Sequence, residues 1–329
     1  MLSSRFKQVI PTTIIAALLS SCDSPPPEQS WENAIQGTYT ASLSNDGKYS
    51  LIGSIYHGGS LWNVRNHERL YNWNHKAGEA TTIIATGFSP EGDFAMTADH
   101  QTMVLWDTRS GESVTYWTAP NEVMSLDLSP NGSFALLGLE DYSAVLFDVK
   151  RGGVKRTFYH QDRVRSVALD ASGKLAVTGS EDGTARLWDT QNGEQLFLWQ
   201  HNEEVLTVAI SQDGNKAFTM SKYDRASIWD TRTGQLIGDL PLGRFALKRG
   251  QLYTSAEFSS DSRLLLTGNS EQLVQLWDTD SLTQLASWTV PKRDKWRPTS
   301  ASIEALSFVT DNEFYAVASD GFTHRLLRR

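Results

Sequence analysis

VRSVALDASGKLAVTGSEDGTARLWDTQNGEQLFL, residues 164–198, decides the fold. Val164 to Leu169 alternates apolar and polar residues, the period of a half-buried strand. Ala171-Ser-Gly-Lys174 follows as a turn, and Leu175 to Gly179 reads as a second strand. Glu181-Asp-Gly183 turns into a third strand ending at Trp188, and Gln191-Asn-Gly193 turns into a fourth running to Leu198. Gly and Asn belong in such hairpin turns because positive φ costs them least. Four short antiparallel strands joined by tight turns make one blade of a propeller.

The same unit recurs along the chain. Trp106-Asp107, Trp188-Asp189, Trp229-Asp230 and Trp277-Asp278 are full pairs, while Trp62-Asn63 and Phe147-Asp148 fill the slot in weaker form. These slots lie 44, 41, 41, 41 and 48 residues apart, and eleven positions after each stands Trp73, Trp117, Phe158, Trp199, Leu240 or Trp288. A repeat of this length is one supersecondary unit used many times. The first turn of the unit recurs at Gly47, Gly92, Gly132, Gly173 and Gly214, then decays to Asp261-Ser262 and Asp311-Asn312, which makes seven units. The seventh third strand falls near Thr323 to Leu327, where the chain stops without a fourth. Trp31 stands 16 residues before Gly47, whereas Trp117, Phe158 and Trp199 stand 15 before their turn glycines. Residues near Gln29 to Ile35 are therefore expected to supply the missing outer strand and close the ring, which removes exposed sheet edge.

These Trp-Asp pairs at constant spacing resemble the WD40 family, and the resemblance covers the chain after its first 30 positions. It implies an all-β, seven-bladed propeller over residues 30–329. It also implies a buried hydrogen-bonded tetrad in strong blades, formed by a His, a Ser or Thr, an Asp and the third-strand Trp. One blade carries all four types in the family's slots: His160, Thr178, Asp182 and Trp188. Elsewhere His75 and His201 are present, but the Asp slot holds His100 and Tyr223, and Ala119 replaces the His before the third blade. The fourth blade is expected to be the most regular, and the first, sixth and seventh the least.

Residues 1–21 read as an export signal. Arg5 and Lys7 precede a mostly apolar run from Val9 to Leu19, and Leu19-Ser-Ser-Cys22 follows. Charged start, short apolar core and small residues describe such a signal, and the run is too short to span a bilayer comfortably. The ending resembles the lipobox of bacterial lipoproteins, which implies that Cys22 receives lipid and becomes the new N-terminus. Cys22 is the only cysteine among 329 residues, so internal disulfides are excluded. Residues 22–29 then form a Pro-rich tether, read as an extended spacer. Asp23 resembles the inner-membrane retention signal of enterobacterial lipoproteins, so the expected location is lipid-anchored at the inner membrane, facing the periplasm.

The formal net charge is −8, and removal of residues 1–21 deletes two positive charges, leaving about −10. This excess of acid disfavours nucleic acid as a partner, because phosphate binding relies on Lys and Arg. Two segments oppose the trend. Gly243 to Gly250 carries Arg244, Lys248 and Arg249, and Pro291 to Pro298 carries Lys292, Arg293, Lys295 and Arg297 around Trp296. Both are inserts between the outer strand of one blade and the inner strand of the next. In the family such connections share a face with the turns between second and third strands, so the two inserts would be neighbours. Trp and Arg dominate interface energetics, and loops on a rigid scaffold carry function. These eight residues are therefore the candidate partner-binding surface, against the plainer reading of irregular solvated loops.

No catalytic motif stands out: there is no Gly-x-Ser-x-Gly, His-Glu-x-x-His, phosphate-cradling loop or Cys-x-x-Cys. His57 and His100 are isolated and read as surface residues rather than metal ligands. No cofactor or metal is expected. The resulting expectation is a monomeric, membrane-tethered platform for a protein partner. The alternatives are a component of outer-membrane assembly, and a hydrolase or lyase with a channel-mouth site.

Overall fold

A computed structural model describes residues 24–76, 78–242, 252–294 and 301–329. Cys22, Asp23, Arg244, Lys248, Arg249, Lys295, Trp296 and Arg297 lie outside the described residues. The chain forms seven four-stranded antiparallel sheets. In the fourth, Val164–Leu169, Leu175–Ser180, Thr184–Asp189 and Gln195–Gln200 follow one another from the axis outward. The seven inner strands, beginning with Thr38–Leu43 and ending with Ile303–Thr310, contact one another in sequence, and the last contacts the first. This closed circle is a seven-bladed propeller around a central channel.

Closure follows the expected route. Gln29–Glu32 pairs antiparallel with Phe322–Leu327, setting Trp31 opposite Thr323, and completes a sheet whose other strands end the chain. The indole of Trp31 then stacks on His67 of the first blade with centroids 4.0 Å apart.

Each repeated residue type has its own task. The Asp after the Trp caps the turn to the outer strand: Asp189 Oδ1 accepts the backbone N–H groups of Gln191 and Asn192, and Asp107, Asp148, Asp230 and Asp278 do the same in their blades. Such Asx turns satisfy donors that a tight hairpin leaves free. Asn63 makes one such bond, to the N–H of Asn66, which explains why the weaker slot still works. A Thr follows four of the Asp residues. The hydroxyls of Thr108, Thr190 and Thr279 donate to the carbonyls of Gly92, Gly173 and Ser262, and Thr231 bonds Gly214 likewise. The triplet Trp-Asp-Thr thereby ties the third strand to the first turn of its own blade.

The aromatic residue eleven positions on belongs to the outer strand and packs against the next blade. Trp73 stacks on Trp106, Phe158 leans on Trp188, and Trp199 stacks on Trp229, all with centroids 5.0–5.1 Å apart. The indole N–H groups of Trp73, Trp117 and Trp199 donate to Gly111, Val149 and Gly234 carbonyls in the following blade. These residues are interblade cement, which is why a small or polar residue does not stand there.

Two expectations need correction. The first and sixth blades are regular, each with four six-residue strands, from Thr38–Leu43 to Glu68–Trp73 and from Tyr253–Phe258 to Gln284–Thr289. The fifth blade instead has the stunted outer strand, Leu236–Asp239. Second, the Pro-rich stretch is no free spacer from Ser24 onward. Ser24 Oγ lies 2.7 Å from Ser287 Oγ, the Thr289 N–H donates to the Pro25 carbonyl, and the Glu28 N–H donates to the Arg325 carbonyl. Consecutive prolines cannot donate to a ladder, but their carbonyls can accept, so the stretch straps across the edge of the sixth and seventh blades.

Candidate functional site

Turns between second and third strands share one face of the disc, here called upper, with the connections that enter the inner strands. The fourth blade shows how that face is held rigid. Trp188 Nε1–H donates to Thr178 Oγ1 at 2.9 Å, which lies 2.7 Å from His160 Nε2. His160 Nδ1 is 3.1 Å from Asp182 Oδ2, and that oxygen also accepts the Gln161 N–H. With the Thr178 hydroxyl donating to Nε2, a neutral imidazole protonated at Nδ1 completes the chain to Asp182. Burial, outweighing the pull of Asp182, accordingly lowers the His160 pKa. At Asp182 desolvation acts to raise the pKa, but the bonds from His160, Gln161 and Thr184 together hold it well below the usual carboxylate range. The family model for the WD domain, G-beta repeat, matches residues 152–189, the span that contains this network. The chain is a seven-bladed propeller that carries a WD40 repeat at residues 152–189. A search among curated proteins finds no match.

The expectation of a single complete tetrad is corrected by the second WD40 blade. There Trp106 Nε1–H donates to Thr97 Oγ1, Thr97 meets His75 Nε2 at 2.9 Å, and His75 Nδ1 meets Asp99 Oδ2 at 3.0 Å. Asp99 stands one position before the slot occupied by His100, so counting back from the Trp misses it. The fifth blade keeps Trp229 on Thr219 at 2.8 Å, but both ring nitrogens of buried His201 lack a protein partner. Its Asp224 instead bonds the Asn202 side chain and backbone. Desolvation first, with repulsion from Arg225, pulls the His201 pKa down to about 4. The third blade abandons the network altogether, with Leu137 and Phe147 in the Thr and Trp positions. Removing both polar partners together leaves no orphan group.

On the upper face, Tyr56, Tyr142 and Tyr223 project from the turns of the first, third and fifth blades, each at least half exposed. Tyr142 has φ of 72° and occupies the place filled by Gly183 in the fourth blade and Gly321 in the seventh. A bulky side chain in the left-handed region is a true outlier, and such strain concentrates at functional sites. Around Tyr142, the residues Asn121, Glu140, Asp141, Asp162 and Arg163 line a cleft of about 450 Å³. Nearer the axis, six inner strands carry a bulge at their second residue: Tyr39, Met124, Arg165, Leu206, Thr254 and Glu304. Bulges re-aim side chains, and these ring the upper end of the channel.

Of the basic insert residues, the two that are described differ. Lys292 is half-buried with no resolved role. Arg293 is no free binding group: Nη1 bonds Glu32 Oε1 at 2.6 Å, Nη2 bonds the Ala34 and Asp320 carbonyls, and Nε bonds the Asp320 carbonyl. Its guanidinium also lies over the Phe322 ring at 4.8 Å. With four hydrogen bonds made internally, Arg293 clamps the closing strand to the last blade.

The channel holds what no sequence position announced. Asp127, Glu257 and Glu304, from blades three, six and seven, line one cavity of about 270 Å³. Each is half-buried. Desolvation pushes Asp127 up to about 7 even though it accepts the Leu169 and Leu128 N–H groups. Desolvation and then the charge of Asp127 push Glu257 up to about 8, and desolvation raises Glu304 to about 7. Such acids exchange protons near neutrality. Among the described residues no group of three or more His, Cys, Asp or Glu is arranged to hold a metal.

Proposed function

We propose that this WD40 propeller is a lipid-anchored, periplasm-facing platform that binds a protein partner on its upper face. The observation that carries the reading is Tyr142, an exposed aromatic kept in a backbone conformation that the fourth and seventh blades give to glycine and the sixth to Gln272. Exposed tyrosines supply large contact area at little entropic cost. Tyr56 and Tyr223 extend that surface, and the cationic inserts, except Arg293, add a basic sector for an acidic segment of the partner. Lipidation at Cys22 and retention through Asp23 supply the anchor and the membrane.

Proximity cross-linking and capture from intact cells tests this reading. One variant combines Tyr56→Ser, Tyr142→Gly and Tyr223→Ser; a second changes Arg244, Lys248, Arg249, Lys292, Lys295 and Arg297 to Ser and Trp296 to Ala. A partner held by the parent and lost from either variant supports the platform. A partner retained by both moves binding off this face and defeats the proposal. The anchor is tested separately by Cys22→Ala, expected to release the protein from membranes, and the sorting by Asp23→Ser, expected to redistribute it.

A second reading has one observation in its favour. Asp127, Glu257 and Glu304 with pKa values near neutrality are what a channel-mouth hydrolase or lyase would use. Turnover abolished by Glu257→Gln in an otherwise folded protein would favour it.

A further inference from the structure

The strap fixes where a lipid on Cys22 can lie. From Ser24 to Glu28 the chain is bonded to the sixth and seventh blades at Ser287, Thr289 and Arg325. Arg329 adds an ion pair to Glu28 at 2.9 Å. Only Asp23 separates Cys22 from Ser24, so the two α-carbons can be at most about 7 Å apart. A lipid on Cys22 is thereby tied to the circumference of the disc at the sixth blade, with almost no leash.

That part of the circumference exposes apolar side chains, as the outer strands of the second, third and fourth blades also do, and the strap is what sets it apart. Leu285 on the sixth outer strand is 37% exposed, and Leu236 and Ile237 on the fifth are 43% and 36% exposed. The two strands belong to one sector, since a methyl group added at Gly238 would fall 2.2 Å from Leu282 Cδ1 in the sixth blade. Beside them, Pro241, the three prolines of the strap, Trp288 and the cationic Arg328 line a groove of about 830 Å³.

We propose that the rim of the fifth and sixth blades is a bilayer-contacting surface, so that the disc stands edge-on at the membrane. This rests on the lipid anchor proposed above. Leu236, Ile237 and Leu285 dip into the interfacial region, Arg328 faces anionic headgroups, and both flat faces stay clear of the bilayer. Snorkelling cations beside apolar side chains are the usual composition of such a contact. The upper face then looks along the membrane plane, placing a bound partner beside the propeller rather than above it.

The test uses the lipidated protein in vesicles of phosphatidylethanolamine and phosphatidylglycerol. Because lipid blocks Cys22, a single introduced cysteine takes a fluorophore alone. Labels at Ile237→Cys, Asn121→Cys on the upper face, Asn192→Cys on the lower face and Val114→Cys on the opposite rim are exposed to brominated phospholipid. Quenching at position 237 several-fold above the other three is the expected result. Replacing Pro25-Pro26-Pro27 with Gly-Ser-Gly should then reduce it towards their level. Equal weak quenching at all four sites would mean a disc hanging free, and strongest quenching at 121 or 192 a disc lying flat; either overturns the proposal. Intact mass shows beforehand whether Cys22 carries acyl groups. Their absence would sink the anchor itself, an outcome distinct from a wrong orientation.

Discussion

Trp199 of the fourth blade stacks on Trp229 of the fifth, with centroids 5.1 Å apart and planes 16° from parallel. Its indole N–H reaches past that ring to the Gly234 carbonyl at 3.0 Å. One side chain thus joins two sheets by dispersion and by a hydrogen bond. Trp199→Ala is expected to cost about 3–5 kcal/mol, the range for removing a buried aromatic. Trp199→Phe keeps the stack and loses the bond, for about 1 kcal/mol plus a smaller cavity term. Guanidinium unfolding measures both, and equal losses would show that the stack contributes little.

The histidine networks predict an asymmetry between blades. His160→Ala leaves Asp182 and Thr178 short of partners in a buried site, at an expected cost of about 2–4 kcal/mol. His201→Ala removes a ring with no protein hydrogen bonds and should cost less, mainly through lost packing on Trp229. Urea titration of both variants checks this. A His201 loss as large as the His160 loss would contradict the bonding described.

Stability should fall as pH rises from about 6.5 to about 8.5. The folded pKa values of Asp127, Glu257 and Glu304 lie above their unfolded values, so the folded state binds more protons there and stability falls as pH rises towards 8. His201 and His324 are both pulled by burial down to about 4, so between about pH 4 and 6.5 the unfolded state binds more protons at these two sites, and their contribution opposes that of the three acids there. Thermal melts from pH 4.5 to 8.5 test the curve. Asp127→Asn with Glu257→Gln should flatten the alkaline fall; an unchanged alkaline side would mean that these acids are ordinarily hydrated.

Arg293→Met keeps the aliphatic stem and deletes the clamp on Glu32, Ala34 and Asp320. A loss of about 2 kcal/mol is expected, with faster amide exchange in Gln29–Glu32 and Phe322–Leu327 before other strands respond. Uniform exchange across all blades would show that closure is not the weak point.

Tyr142→Gly separates binding from folding. Relief of strain offsets the extra freedom glycine gives the unfolded chain, so stability should change by less than about 1 kcal/mol. Partner capture should fall. A large destabilisation would make Tyr142 a structural residue and weaken the platform.

The amino-acid order by itself determined the repeat, the seven units, the four strands in each and the displaced closing strand. Each of these depends on local periodicity and turn chemistry, which a chain carries in register with itself. Asp189 caps its turn and Trp188 meets Thr178 within one hairpin, so their spacing is readable. The second tetrad escaped notice because Asp99 reaches His75 from a turn shifted by one residue, and only the folded turn shows which carboxylate arrives. Tertiary structure alone decided the rest. Asp127, Glu257 and Glu304 are far apart in sequence and line one channel only because seven sheets close a ring, where desolvation raises the pKa of each. Arg293 looked like one more surface cation until the closing strand came within reach of its guanidinium. The prolines after Cys22 have the composition of a spacer, yet their carbonyls and neighbouring polar groups find partners on a blade edge that exists only once the propeller has formed.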